Sequence, residues 1–429
     1  MPLRIAYPRA CVTVSTSSPS RSAWPMLLVL ISGFSMSQAF RTAAGMMAPP
    51  LQHEFGLTPQ QLGLFAAAFH FSFASLQLFM GMGIDVYGPR RTVVVVFPLA
   101  AIGSLVTASA HGYPMLIFGQ ILTGIGCAPA FLVCTVFIAR HFAGERFAAV
   151  NGAALGIGSI GLLLTGTPLA WVIEHLSWRA GFVAMAACSA LAWLAILALV
   201  REEPAEGAPH QELHVLAALR GYGELFRLRH TIGIVALALF SYAAFMSLRG
   251  LWLTPLLIER HGFTLVETGN VALAISALGM VGSPLFGRFD PGDQRRRGWI
   301  LACALLSASM FFALALHPGP AIAVALALGI SLLSGFGTLQ YADVRSAYPA
   351  RMTGRAMAVF TMAMFLGVAV MQWLTGGLAS LAGALQVERY AAVMGGIGAF
   401  LVLGALLFRL LPAPPRAAAM AGEPSQSRP

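Results

Sequence analysis

Two arginines stand where a charge is expensive. Arg41 and Arg249 each lie inside a long apolar run. If those runs cross a bilayer, each guanidinium costs at least about 2.5 to 3.5 kcal/mol on insertion scales, which calls for a cavity, a partner or a ligand. Arg41 stands nine residues before Pro50, roughly 13 Å into its run at about 1.5 Å per helical residue, too deep for easy snorkelling. Ser37, Gln38, Arg41 and Gly45 share one helical face, as do Tyr242, Met246 and Arg249, because residues three and four apart are neighbours on a helix. Aligning Pro50 with Pro255 sets the two arginines about one turn apart in register, on nearly the same face. No acidic residue lies deep in a run: Asp85, Asp290 and Asp343 fall at the ends on one side, Glu54, Glu174, Glu259, Glu267 and Glu388 on the other. Guanidinium forks without an internal counter-ion suit a carboxylate or phosphate ligand. The bland alternative is that either arginine bonds backbone carbonyls. His70, in the middle of another run with Ser72 two residues on, is an imidazole suited to carrying a proton or binding a ligand near neutral pH. It can equally be a hydrogen-bonded packing residue. Gln77, Gln120, Gln340 and Gln372 read as structural polar groups, and Phe69, Phe71, Phe73 and Trp373 as packing or lipid-facing rings.

The elements that must hold these residues are helices in a membrane. The 429 residues are 58% hydrophobic and 10% charged, with mean hydropathy +0.78, far from the roughly 25% charged content of soluble domains. Apolar segments fall near 24–48, 61–82, 92–110, 113–139, 149–172 and 180–200, and again near 231–257, 267–287, 299–316, 319–341, 355–379 and 390–411. Each is close to the roughly 20 residues that span a bilayer, which predicts an all-α membrane protein of twelve transmembrane helices in two six-helix halves. The domain reading is a cytoplasmic tail over 1–23, a bundle over 24–200, a linker over 201–230, a bundle over 231–411 and a second tail over 412–429. The tails read as disordered, the first of them not as a cleavable signal. The linker has the amphipathic pattern of a surface helix around Leu213 to Leu228.

All 26 basic residues are arginine, and they sort by side. With the N-terminus in the cytoplasm, 21 fall in cytoplasmic tails and loops, while Arg179, Arg260 and Arg389 alone fall outside, the bias of a bacterial inner-membrane protein with both termini inside. The net charge of +10 is explained by topology, because the basic residues never form the long stripe that nucleic acid requires. Cys11, Cys127, Cys134, Cys188 and Cys303 are scattered without metal-ligand spacing and read as small packing residues, with neither disulfide nor metal site. No phosphate-binding loop or nucleophile constellation is visible, so neither catalytic residues nor a cofactor are expected.

The halves repeat. Met47-Ala-Pro-Pro50-Leu leads through Glu54-Phe-Gly56 to Gly63, and Leu253-Thr-Pro255-Leu leads through Glu259-Arg-His-Gly262 to Gly269. Between the second and third runs stands Gly81-Met-Gly-Ile-Asp85-Val-Tyr-Gly88-Pro-Arg90-Arg91. This loop resembles the signature of the major facilitator superfamily, and with the six-plus-six layout the resemblance covers about residues 24–411. It implies that Gly81, Asp85, Gly88, Arg90 and Arg91 form a cytoplasmic latch holding an outward-open state. A second copy, Gly282 to Arg297, is degenerate, and Trp178-Arg179 with Phe182 resembles a further family feature. Gln120 stands where many members carry an arginine linked to proton coupling, and Thr165-Gly-Thr-Pro168 lacks the Gly-Pro pair of the antiporter motif. The glycines Gly152, Gly156, Gly158 and Gly161 read as helix-packing positions.

The resemblance implies a monomeric secondary transporter working by alternating access, and its members with an arginine in the first and seventh helices carry organic anions or organophosphates. The substrate-binding candidates are Arg41, Arg249, Gln38, His70 and Tyr242, with His70 as the coupling candidate and a proton or counter-anion as co-transported partner beside the small anionic substrate. An exporter of amphipathic or drug-like compounds, and a membrane sensor that transports nothing, remain as alternatives. The arginine bias generates the first test, cysteine-accessibility labelling from outside intact cells. Cysteines placed near 85, 143, 215, 293 and 350 should stay unlabelled, and strong labelling at 293 would reverse the topology.

Overall fold

The structure is a computed structural model, and it describes residues 23–142, 144–201 and 223–412. The expected tails, and most of the linker with its amphipathic stretch, lie outside the described residues. Among the described residues eleven helices are long and apolar enough to cross a membrane: α1 (Ala23–Phe55), α3 (Pro89–Ala108), α4 (Tyr113–His141), α5 (Ala149–His175), α6 (Trp178–Leu199), α7 (Arg229–Arg260), α8 (Leu265–Arg288), α9 (Asp293–Ala315), α10 (Pro320–Ala347), α11 (Met352–Ala384) and α12 (Arg389–Leu410). A further helix of 29 residues, α2 (Pro59–Tyr87), carries His70 and packs along α4 and α11. The all-helical membrane fold agrees with the sequence. Cys127, Cys134 and Cys303 are buried singly and Cys188 is exposed, all as free thiols.

The two proline-bearing helices run further than their apolar runs suggest. Helix α1 continues through Pro49 and Pro50 to Phe55, and α7 passes Pro255 by widening. Residues Leu248–Trp252 and Leu256–Arg260 on either side of that proline are π-helical, and the Leu253 N–H donates to Leu248 O, five residues back. Proline supplies no N–H and its ring crowds the carbonyl of the preceding turn, so the helix accommodates it by changing pitch. Arg249 sits in the first of these wide turns.

Loop chemistry repeats after α1 and α7. Gly56 (φ 61°) and Gly262 (φ 72°) turn the chain after α1 and α7, in a left-handed conformation that costs glycine little. Thr58 with Gln61, and Thr264 with Glu267, then form reciprocal capping boxes that start α2 and α8. Arg179 and Trp178 Nε1 at the start of α6 clasp Glu54 at the end of α1, at 2.6 Å each. Arg389 at the start of α12 reaches Glu259 at the end of α7 at 3.0 Å, and Arg260 pairs with Glu388 at 2.6 Å. Arg179, Arg260 and Arg389, the three arginines expected outside, are all paired with carboxylates at their own end of the bundle.

Between α1 and α7, small residues set the approach. A methyl group built on Gly45 of α1 would come 3.1 Å from the Gly250 carbonyl carbon of α7, and one on Gly250 would come 3.1 Å from Arg41 O. The backbones of α1 and α7 thus cross in contact beside both arginines. At the ends near Pro59, Gln60 N–H donates to Ser380 Oγ (3.0 Å), Gly63 lies against Gly376, and Thr167 donates to Asn270 Oδ1 (2.6 Å). The glycines of α5 divide, which corrects the expectation that all four pack. Gly158 lies against the Phe34 ring and Gly161 against Ser35 O, both on α1, whereas Gly152 and Gly156, one turn apart on an exposed face of α5, meet nothing within 4 Å.

That division generates a paired test. A methyl on Gly161 would overlap Ser35 O at 1.8 Å, so Gly161→Ala should lower the melting temperature of the purified protein. Gly152→Ala should leave it unchanged or raise it, since alanine favours helix over glycine by about 1 kcal/mol. Equal effects at the two positions would refute the assignment.

Candidate functional site

The guanidinium of Arg41 is 5% exposed and held between two rings from different halves, its carbon 4.8 Å from the Phe73 centroid on α2 and 4.6 Å from Phe365 on α11. The two rings meet edge to face at 4.7 Å, and Tyr242 of α7 leans its edge on Phe365 at 5.6 Å. Aromatic faces partly replace water around a cation, each contact being worth about 0.5 to 2 kcal/mol. Phe73, read from the sequence as a packing or lipid-facing ring, is instead part of the arginine's cage. Gln38, one turn earlier on α1, accepts a hydrogen bond from Arg41 Nη1, while Arg41 Nε has no partner.

His70 lies buried on α2 beside this cage. Its Nδ1 is 3.2 Å from Ala66 O; a carbonyl only accepts, so Nδ1 carries a proton. Gln372 of α11, fully buried, stands within hydrogen-bonding reach of the ring, and neither His70 Nε2 nor the Gln372 amide makes any other hydrogen bond. Sequence reading treated Gln372 as structural; a polar residue within an apolar run was the available signal, and its neighbours were not.

Arg249, 1% exposed, faces other helices. Its Nε donates to Ser276 Oγ of α8 (3.1 Å), and Nη2 donates to Leu162 O (3.2 Å) and Thr165 Oγ1 (3.3 Å) of α5. Thr165 Oγ1 lies 2.6 Å from Thr42 Oγ1 of α1, so a chain of hydroxyls joins Arg249 to the residue after Arg41. Nη1 remains unpartnered. Among the described residues no carboxylate pairs with either arginine. The structure does not bring the two guanidiniums onto one face, as the register suggested. Arg41 is turned toward α2 and α11, and Arg249 toward α5 and α8, with the α1–α7 crossing between.

The loop joining α2 and α3 has Gly88 at φ 82°, and Arg90 donates to Val200 O and Leu197 O at the end of α6. Arg91 is exposed. The side chain of Asp85, the acidic member of the expected latch, lies outside the described residues. Its degenerate counterpart between α8 and α9 is an ion-pair cluster. Gly292 turns at φ 78°, Arg296 grips Asp290 at 2.6 Å and also pairs with Asp293, and Arg297 is 3.9 Å from Asp343 of α10.

Comparison with known proteins fits these features. Residues 29–370 match the Major Facilitator Superfamily, and the chain belongs to that family. It is a membrane transporter and not an enzyme. It is 25% identical over 316 residues to a probable sulfoacetate transporter of Cupriavidus necator, covering 68% of this chain and 72% of that one. To a D-galactonate transporter of Escherichia coli it is 23% identical over 430 residues, covering 93% and 98%, and to a hexuronate transporter of Bacillus subtilis 23% identical over 269 residues, covering 61% and 63%. The fold matches a D-xylose-proton symporter with TM-score 0.72 at 15% identity, covering 91% of this chain and 98% of that one. It also matches an inward-facing, occupied bacterial homologue of the lysosomal transporter Spinster, with TM-score 0.70 at 18% identity and coverage of 92% and 97%.

The loop cluster carries a pH test. The hydrogen bond from Arg296 holds the Asp290 carboxyl below its usual range; burial opposes this and the Gly292 N–H reinforces it. A carboxylate whose folded pKa is depressed stabilises the fold fully above its unfolded pKa, about 3.9, and loses that contribution as pH falls through the folded value. Asp290→Asn should therefore lower the melting temperature at pH 7, and the gap from wild type should close below about pH 4. A gap independent of pH would refute the ion-pair account.

Proposed function

We propose that this protein is a secondary carrier that moves a small organic anion across the bacterial inner membrane by alternating access, as a monomer of twelve spanning helices in two six-helix halves with both termini in the cytoplasm. The observation that carries the anion reading is Arg41, a buried guanidinium caged by one ring from each half with its Nε open and no carboxylate beside it among the described residues. An incoming acid group supplies the missing charge, with Gln38, His70 and Tyr242 around it. Arg249 offers Nη1 to the same substrate from the other side of the crossing, while its bonds to α5 tie the halves. The names of the sulfoacetate, hexuronate and D-galactonate relatives support an acid as cargo.

Importing a monoanion into a negative cytoplasm costs about 2.3 kcal/mol per 100 mV, so uptake needs co-transported cations or exchange for an internal anion. His70, buried next to the cage, is the residue assigned to a coupling proton. The loop of Gly81, Asp85, Gly88, Arg90 and Arg91 is assigned the latch role, with Arg90 anchored on the end of α6.

A second reading has one observation in its favour. A groove of about 400 Å³ between α2, α4 and α11 is lined only by apolar side chains, Phe71, Ile117 and Trp373 among them, which suits export of amphipathic compounds. Binding and transport by purified protein separate the two, with organic anions set against lipophilic cations as ligands. Arg41→Ala and Arg249→Ala should each weaken anion binding roughly tenfold to 150-fold, the loss of a charge-assisted contact of about 1.5 to 3 kcal/mol. Lysine at either position should rescue only partly, since it keeps the charge and loses the fork. If both alanine variants bind and transport normally, the anion reading fails and the exporter reading replaces it.

A further inference from the structure

We propose that the groove between α2, α4 and α11 is a binding site for the acyl chains of a membrane lipid, held more tightly than the lipids around the rest of the bundle, and that its occupant stabilises the contact of α2 with α11. The groove measures about 400 Å³. Ala67 and Ala68 of α2 and Ala369 of α11 line it and are buried, so short side chains leave the space between the helices. Phe71 of α2 and Trp373 of α11 line it too, and are 59% and 47% exposed. On either side of this stretch α2 and α11 touch, Gly63 against Gly376 and Phe73 against Phe365.

Lining, depth and size name the occupant. Every lining side chain is apolar, so a ligand's charged or hydrogen-bonding groups would gain nothing there. The lining residues of α2 run from Leu64 to Phe71, five to twelve residues from the helix start at Pro59, which is roughly 8 to 18 Å along the axis. In a hydrocarbon core about 30 Å thick, that places the groove in the leaflet on the Pro59 side, where the solvent is lipid chain. An apolar cavity of about 150 Å³ takes up one benzene. By that ratio the groove holds roughly sixteen hydrocarbon carbons, the scale of the chains of one lipid.

The groove opens away from the buried arginine. Phe69, His70 and Phe73 of α2 are buried, with Phe73 against Arg41, whereas Phe71 between them is exposed. An unfilled recess would leave the alanines without contact partners on one side. A chain seated in it touches α2 and α4 on one side and α11 on the other. It therefore binds best when those helices lie together, and by that preference it favours the arrangement that forms the Phe73 and Phe365 cage.

Titration of the full-length protein in dodecyl maltoside with phosphatidylcholine brominated on its acyl chains tests this, because bromine quenches a tryptophan it touches. The Trp373 signal is the difference between wild type and Trp373→Phe. The control is Trp299, 45% exposed on α9 and no part of the groove, read in the same way from Trp299→Phe. Trp373 quenching should saturate at about one lipid per protein, as the volume allows, while Trp299 quenching should rise steadily with the lipid content of the micelle. Ala369→Leu, which fills the space, and Phe71→Ala, at an exposed position, should each raise the lipid needed for half-quenching roughly tenfold, the scale of small volume changes in an apolar pocket. One equivalent of lipid should also raise the melting temperature of wild type and not that of Ala369→Leu. Trp373 quenching that merely follows Trp299, or a saturating phase unchanged in both variants, reduces the groove to ordinary bilayer contact and overturns the site. An equal rise in melting temperature in wild type and Ala369→Leu overturns the stabilising role. Displacement of the bromolipid by tetraphenylphosphonium that the protein also transports makes the groove a cargo path and overturns the lipid site. Arg41-dependent anion binding is a separate readout, so the lipid site can fail while the anion reading stands.

Discussion

A guanidinium that can neither leave the membrane nor lose its proton constrains everything near it. Arg41 is fixed on α1 well inside the bilayer span, and arginine stays charged in proteins. The surroundings answer with polarisable ring faces and one amide oxygen. A carboxylate there would neutralise the charge, but it would also compete with an incoming acid. The Phe73 and Phe365 cage stabilises the cation partially and leaves the buried Nε without a partner. Since the rings come from α2 and α11, the cage exists only where those two helices meet.

Arg249 solves the same problem in another way. It lies in a π-helical turn of α7 next to Gly250, where the wider pitch and missing side chain let the α1 backbone approach. Its donors are spread over a hydroxyl of α8, a carbonyl of α5 and a threonine hydroxyl of α5. Two of those three bonds cross from one half to the other. A carrier that alternates its access must break such bonds in each cycle, and neutral partners make that cheaper than an ion pair in a low dielectric would. Ion pairs are found elsewhere, at the helix ends: Arg179 to Glu54, Arg389 to Glu259, Arg296 to Asp290.

The repeated loop chemistry explains how one design serves both halves. Left-handed glycines, capping boxes and end clasps recur in the same order after α1 and α7, so each half positions its first helix by the same local rules. The repeat breaks down around the buried arginines. The second helix of the first half carries His70, while the corresponding stretch of α8 carries Ser276, and the polar work on that side passes to Arg249.

Length, apolar periodicity and arginine placement determined the helices, because a bilayer leaves backbone groups no partner except within the helix, and that demand is read one segment at a time. The sequence also exposed Arg41 and Arg249, since a charge in an apolar run is conspicuous without any fold, and the Glu54 and Glu259 repeat was visible as spacing. What it could not decide was direction. Two arginines on nearly the same face of equivalent helices looked like one clamp, yet the Gly45–Gly250 crossing turns them toward different helix pairs. Phe73, Phe365 and Gln372 were hidden for the same reason: rings and amides in apolar runs are ordinary until tertiary packing sets them against a charge. Gly152 and Gly156 were indistinguishable in sequence from Gly161, and only the face of α5 that packs on α1 divided them. Segment-level burial is a property of the chain and the solvent, whereas which side chains meet depends on crossing points that no single segment encodes.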